Sequence, residues 1–330
     1  MDALRQEQHV DAGRAIWLEQ RRRGIGGTDA SAILGVNPWM TPFEVFLSKT
    51  GKAKDKEPTK AMEWGLLLEN VIAERYMART GRKLWKPDRL MSHPDFPCLI
   101  GTPDRLVIGE SRGVDVKTSG GYLEHEWGAE FTDEIPRQYV VQAAHYMAIT
   151  GFDVWDFIVL IGGNEDRIYT VRRDKAFEAI LIDRLTKWWQ RYIVEGRMLI
   201  PDHSEGASSY LKALFPTDKA PRIGADEKAQ SIGDSLRHVK RSIKGLEKNE
   251  AELTNQLKEL VGDASGMDGS GFRVTWAGGR EKETVDHERY ATILADALTV
   301  NGMGEVVNQA LSNSRITEVS PRAFRFTEDK

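Results

Sequence analysis

The 330-residue sequence predicts an α/β (α+β) fold, a mixed central sheet flanked by helices and followed by a helical appendage with a small β element. Three patterns carry that expectation. Residues 154–161 form a strongly apolar run ended by Gly162-Gly163-Asn164-Glu165, with a return strand over 167–171, the pattern of a buried strand and its hairpin partner. Residues 99–108 and 113–118 read as two more strands, separated from that hairpin by a helical stretch. Residues 226–262 then place apolar side chains alternately four and three apart, the spacing of a heptad seam.

In chain order, residues 10–22 look helical and lead to the glycine turn Gly24-Ile-Gly-Gly27, after which Thr28 or Asp29 caps a short helix ending at Gly35. Thr41-Pro42-Phe43-Glu44 is a capping box with proline at the first helical position, opening a helix to about Thr50. The Lys-, Asp- and Glu-rich stretch 51–59 reads as a loop. Residues 62–81 form a helix, with Leu66, Val71, Ala73 and Tyr76 as its expected packing residues and Glu69 within the apolar run. Residues 120–135 look irregular and mobile. The helix 136–149 puts Tyr139, Gln142 and Tyr146 on one face, and 174–196 is a long helix whose Trp188-Trp189 pair is expected to pack rather than to stack bases.

These elements suggest a main domain over 1–200, a linker over 201–225 and an appendage over 226–330. In the appendage the seam runs through Ile232, Leu236, Val239, Ile243, Leu246, Leu253, Leu257 and Leu260, interrupted by Glu250, and is expected to fold back on its own protein rather than to pair between subunits. A β-hairpin over 262–279, a short helix over 288–298 and a strand over 322–326 close the chain.

The chemistry gathers around Gly101-Thr-Pro-Asp104 and Asp115-Val116-Lys117. Asp104 and Asp115 on adjacent strands, with a lysine two residues on, describe a site for a hard divalent cation beside a positive group. Mg²⁺, for which Mn²⁺ could substitute, takes oxygen ligands and retains waters, so a few carboxylates and a backbone carbonyl suffice for it. The lysine would orient or deprotonate the attacking water, and the metal would stabilise charge on a phosphate. Asp-x-Lys by itself also describes a surface ion pair at a strand end. The accompanying Glu69 and the Tyr139/Gln142 face narrow the reading.

Together the blocks Arg22-Arg23-Gly24-Ile-Gly-Gly-Thr28-Asp29, Gly65-x-x-x-Glu69, Gly-Thr-Pro-Asp104, Asp115-Val-Lys117 and Gln138-Tyr139-Val-Val-Gln142 resemble the ordered motifs of the YqaJ-type viral recombinases. These are the lambda-exonuclease branch of the PD-(D/E)XK nuclease superfamily, with a restriction-endonuclease-like core. The resemblance implies a 5′→3′ exonuclease on linear double-stranded DNA, acting in phage-type recombination by strand resection. It implies metal ligands Glu69, Asp104, Asp115 and the Val116 carbonyl, with Lys117, Tyr139 and Gln142 supporting catalysis. It also places a terminal-phosphate arginine at Arg22, with Arg23 second, near Thr28 and Asp29. A single-strand annealing protein as partner and a ring trimer, as in relatives, are further implications. Asp115 stands where the family most often has Glu, a shorter carboxylate that still ligates Mg²⁺. An endonuclease of the same fold, in repair or restriction, and a non-catalytic DNA-binding scaffold are the alternatives.

Composition fits without selecting. Hydrophobic residues make up 40% and charged residues 29%, as expected of a soluble globular chain. No stretch approaches a membrane span, the N-terminus lacks an apolar signal region, and the single cysteine, Cys98, suits a reducing compartment. The expected location is the cytoplasm of a bacterial host, for a phage- or prophage-encoded protein. The net charge of −4 argues against coating DNA by charge alone but not against local basic strips, such as Arg21 to Arg23, the lysines of 49–60 and Arg172-Arg173. There is no Gly-x4-Gly-Lys phosphate loop, no Gly-x-Gly-x-x-Gly turn after a strand, no paired cysteines for zinc and no Gly-x-Ser-x-Gly elbow.

Overall fold

The computed structural model describes residues 19–53, 59–217 and 223–279, and beyond them the strand segments 281–285, 315–319 and 323–328 with a few isolated positions. The chain divides into two compact units, Met1–Lys219 and Ala220–Lys330.

The first unit is built on α1 (Gly27–Ile33), α2 (Pro42–Lys49), α3 (Lys60–Thr80), β1 (Leu84–Trp85), β2 (Met91–Ser92), β3 (Ile100–Gly101), β4 (Arg105–Val107), β5 (Arg112–Ser119), α4 (Arg137–Thr150), β6 (Val154–Ile161), β7 (Glu165–Arg172), α5 (Lys175–Trp189) and α6 (Glu205–Leu214). Its five-stranded sheet has the order β1-β4-β5-β6-β7. Only β5 and β6 run parallel, Asp115 beside Phe157 and Lys117 beside Val159, and α4 makes the crossover between them. This is the mixed α/β architecture that the sequence predicts.

Side-chain alternation on β5 sorts chemistry from packing. Val114 and Val116 point to the α3 face, with Ile72, Tyr76 and Ile158. Asp115 and Lys117 therefore share the other face. Leu106, Tyr146, Met147, Trp155, Phe157 and Val159 pack together on that side. A third cluster, with Ile25, Phe43, Phe46, Leu181, Leu185 and Trp188, joins α1, α2 and α5. Trp188 and Trp189 both pack there, as expected.

Several expectations are corrected. Leu66 and Val71 are exposed, because α3 turns Gly65, Leu68, Ile72 and Tyr76 toward the sheet; of the four residues named, Ala73 and Tyr76 are buried. Residues 99–108 are two strands: Thr102 to Asp104 breaks them, β3 pairs with β2, and β4 pairs with β5. Residues 120–135 are held in place. A 3₁₀ turn spans Gly121–Glu126, Trp127 and Ile135 are buried, and Gly128 and Phe131 bond backbone to backbone with Glu134 and Ile168. Residues 205–214, read as linker, form α6, which buries Ala207 and sets Tyr210 edge-on against Phe43, ring centres 6.0 Å apart. Thr28 does not cap α1; Gly26 holds the cap position and the Asp29 carboxylate accepts its N–H at 2.8 Å. The helix expected over 10–22 is seen from residue 19, and its earlier part, like lysines 54 and 56, lies outside the described residues.

The second unit contains α7 (Glu227–Val261), β8 (Gly266–Gly269), β9 (Phe272–Ala277), β10 (Glu281–Val285), β11 (Arg315–Val319) and β12 (Ala323–Glu328). The predicted hairpin is β8 with β9, extended by β12, and β10 pairs with β11. The apolar side chains of the heptad seam on α7 are exposed. Most of the helix expected over 288–298 lies outside the described residues.

Candidate active site

The turn before β4 and the middle of β5 bring two carboxylates together. Arg105 pairs with Val114, so Asp104 and Asp115 meet at the adjoining position of the two strands. Asp104 accepts the Val116 N–H at 2.9 Å, and Asp115 accepts the Lys117 ammonium at 2.9 Å through Oδ2. Asp115 Oδ1 is buried with no hydrogen-bond partner. A buried carboxylate oxygen left unpaired is costly, and a bound cation removes that cost.

Electrostatics point the same way. Burial and the neighbouring Asp115 push the Asp104 carboxyl up to about 7, because the pair resists carrying two negative charges. Burial alone would discharge Lys117, but attraction to Asp115 and Asp104 outweighs it and holds the ammonium well above the ordinary lysine range. Lys117 is therefore a charged donor, not a free base. Its Nζ lies 5.3 Å from the centre of the Tyr139 ring, which is stacked on Trp127 at 5.5 Å.

Glu69 lies near this pair, but its charge is engaged. Arg105 Nη1 donates to Glu69 at 2.6 Å and to the Asp104 carbonyl at 2.5 Å, and Lys86 donates to Glu69 at 2.8 Å. Burial works against the charged form of Glu69, but these two cations prevail and hold its carboxyl below the ordinary range. Among the described residues, no cluster of three or more His, Cys, Asp or Glu side chains is arranged to hold a metal. Arg105 ties Glu69, the further ligand expected from the sequence, to the Asp104 turn. Asp104, Asp115 and the Val116 carbonyl remain as an oxygen set, which suits an ion that keeps several waters.

Gln142 reaches Tyr146 rather than the carboxylates, its Nε2 3.4 Å from the Tyr146 hydroxyl. Burial and the charges of Asp115 and Asp104 hold that phenol protonated, so Tyr146 faces the site although sequence reasoning gave it no role there. Two glycines make this possible. A Cβ on Gly101 would stand 2.6 Å from the Tyr146 ring, and one on Gly27 would stand 2.9 Å from Gln142 Cγ. Arg105, Lys86 and Trp127 were also missed, since their partners lie far off in sequence. Trp39 is a further such residue: 62% exposed, it sits 6.4 Å from the Tyr139 ring, on a turn fixed by Asn37.

The arginine turn is joined to this hairpin by backbone. Ile25 N–H donates to Cys98 and Ile100 N–H to Ile25, so residues 24–27 run beside the strand leading to Asp104. Arg22 and Arg23 are exposed, each near Glu19 at 3.6 and 3.7 Å. Thr28 is exposed. Asp29 is not available to a phosphate: it is buried, caps α1 and pairs with Lys49 at 2.6 Å, and this corrects its expected role.

Fold and site thus set a carboxylate pair and a charged lysine on one strand hairpin beneath a helix. The chain belongs to the YqaJ-like viral recombinase family: that domain matches residues 16–153, and the YqaJ protein of Bacillus subtilis (strain 168), itself uncharacterized, is 33% identical over 261 residues, 78% of this chain and 81% of that protein. Among solved structures, the chain is similar to an alkaline exonuclease (LHK-Exo) from Laribacter hongkongensis, at 18% identity and TM-score 0.46 over 55% of this chain and 93% of that one. It is also similar to a phage related exonuclease from Haemophilus somnus 129PT, at 17% identity and TM-score 0.40 over 53% and 96%.

Proposed function

We propose that this protein is a divalent-metal-dependent deoxyribonuclease, a 5′→3′ exonuclease on linear duplex DNA that resects one strand for phage-type recombination. The observation that carries the reading is the partnerless Asp115 oxygen, buried beside Asp104 and a charged Lys117. Asp104, Asp115 and the Val116 carbonyl would hold Mg²⁺, or Mn²⁺ in its place, with Glu69 behind them through Arg105. The ion would supply Lewis-acid stabilisation of charge on the phosphate.

The chain's own groups do the rest. Lys117, held protonated, donates to the attacking water or the scissile phosphate and orients it. The rings of Tyr139 and Phe157 wall that lysine, while Gln142 and Tyr146 seat the helix that faces it close against Gly27 and Gly101. Trp39 offers an exposed ring on which a base can stack. Arg22, with Arg23 and Thr28, would meet the 5′-terminal phosphate, whose extra charge suits a bidentate guanidinium. An annealing protein loading on the exposed strand is the partner this reading implies.

Incubation with linear and covalently closed duplex, with Mg²⁺ and with chelator, tests the proposal. Linear DNA should be degraded with Mg²⁺ alone. Nicking of the circle would make the protein an endonuclease, and inertness toward both a scaffold. The 5′-phosphorylated substrate should be degraded faster than the 5′-hydroxyl one, and Arg22→Ala should shrink that preference. Equal rates on both ends in the wild type would remove the terminal-phosphate pocket.

A further inference from the structure

The face of the five-stranded sheet that turns away from Asp115 and Lys117 carries a cleft of about 500 Å³, within the size range of small-molecule sites. Strand alternation fixes its floor. Arg112 lies two residues before Val114, Asp156 is in register with Val114, and Thr170 is in register with Asp156. These side chains therefore share the α3 face with Ile168 and Arg172. Helix α3 ends at Thr80, and Gly81, at φ +72°, turns the chain so that Arg82 joins the lining. Residues 131–133 line the cleft as well, held along β7 by the Phe131 N–H to Ile168 and the Thr170 N–H to Thr132.

The charges in this cleft are unevenly matched. Asp156 is buried and accepts from Tyr76, Arg112 and Thr170, so both of its oxygens are satisfied from within the fold. Glu110 holds Arg82 and Arg112 by their Nε edges, at 3.0 and 3.2 Å, which leaves the outer edge of Arg82 for another acceptor. Arg172 is exposed, and among the described residues its guanidinium enters no hydrogen bond or ion pair. Guanidinium forks placed so, over a carboxylate that is already matched, suit a phosphate group.

The wall supplies an apolar half. Among the described residues Phe131 is the one non-glycine residue with a positive φ, +67°, a conformation that a bulky side chain disfavours. That backbone leaves the residue 67% exposed at the cleft, with the Arg79 guanidinium 5.8 Å from the ring centre. A strained residue that presents an aromatic face beside a phosphate-type pocket suits a flat ring stacked upon it. Asp133, also in the lining, offers acceptor oxygens to amino groups on such a ring.

We propose that this cleft binds a nucleoside monophosphate, with the phosphate on Arg82 and Arg172 and the base on Phe131, at a site separate from the carboxylate centre on the other face of the sheet. The proposal does not rest on the catalytic reading.

Isothermal titration of the full chain with dAMP, with chelator present so that no metal loads the carboxylate centre, should show one site. Inorganic phosphate and deoxyadenosine should each bind more weakly than dAMP. Arg172→Gln should weaken dAMP binding by at least ~10-fold, the loss of a charge-assisted hydrogen bond. Phe131→Ala should weaken it by at least ~5-fold, the scale of one stacked base, and leave phosphate binding unchanged. Both side chains are exposed, so both variants should melt with the wild type. Asp115→Asn should keep the wild-type affinity for dAMP. Absent dAMP binding, phosphate binding as tightly as dAMP, or dAMP binding that neither cleft variant weakens would overturn the proposal. Loss of binding in Asp115→Asn would overturn it by placing the nucleotide at the carboxylate centre. An Arg172→Gln variant that loses affinity for duplex DNA but not for dAMP would overturn it by making the cleft a contact for the duplex.

Discussion

Asp104 is half-buried beside the fully buried Asp115, and burial together with the Asp115 charge raises the Asp104 carboxyl. A carboxyl raised from 3.8 to about 7 binds more protons in the fold than in the unfolded chain between those values. Metal-free stability should therefore fall as pH rises through that window. A divalent cation competes with the same proton, so Mg²⁺ should raise the melting temperature more at about pH 8 than at about pH 6. An Mg²⁺ shift independent of pH in a thermal melt would detach the carboxylates from metal binding. Asp104→Asn should cut hydrolysis by at least ~10²-fold, the scale for losing one transition-state electrostatic contact. It should also raise the metal-free melting temperature, since it removes a charge the fold resists. Asp104, Asp115 and Lys117 were legible in sequence because strand alternation alone puts residues 115 and 117 on one face. Arg105 was not, because its partner Glu69 is 36 residues away and nothing local to either residue announces the pair.

Helices α3 and α4 pack on opposite faces of the sheet, and each is seated by a different device. Asp156, buried on β6, accepts from Tyr76 of α3 at 2.5 Å, from Arg112 at 2.6 Å and from Thr170 at 2.8 Å. Helix α4 is seated by close approach: Tyr146 lies on Gly101 and stacks near Trp155, ring centres 5.1 Å apart. Gly101→Ala should push that ring away, costing roughly 1–3 kcal/mol of stability, as overpacking does. Activity should fall beyond what unfolding explains. Urea unfolding and specific activity of the soluble fraction would separate the two effects, and a wild-type profile in both would refute the close-approach argument. The capping boxes and strand runs of these elements could be read locally. The packing face of α3 could not, since Leu66, Leu67 and Val71 are apolar yet exposed, and periodicity does not tell which stripe meets the sheet.

At the level of the whole chain, the first unit extends into the expected linker because α6 covers Phe43. A chain ending at residue 219 should fold and keep hydrolytic activity. One ending at residue 200 should melt lower, since it uncovers that aromatic contact and loses the buried Ala207. Equal melting temperatures for the two would make α6 dispensable. Composition misled here: residues 201–225 carry Pro, Asp and Ser enough to read as a linker, while Ser204 was in fact an N-cap, accepting the Ala207 N–H at 3.1 Å.

The buried pair of Asp29 and Lys49 has a consequence for how this chain can change over generations. The lysine also donates to the Arg21 carbonyl at 2.8 Å, beside the arginines proposed to meet a DNA end. Losing either member strands the other charge in the interior, a cost of about 3–5 kcal/mol against a total stability of about 5–15. Descendants that drop only one member would fall toward the folding threshold before a second change could compensate. The two positions are thus expected to persist or be replaced together, and the turn they anchor is inherited as a unit.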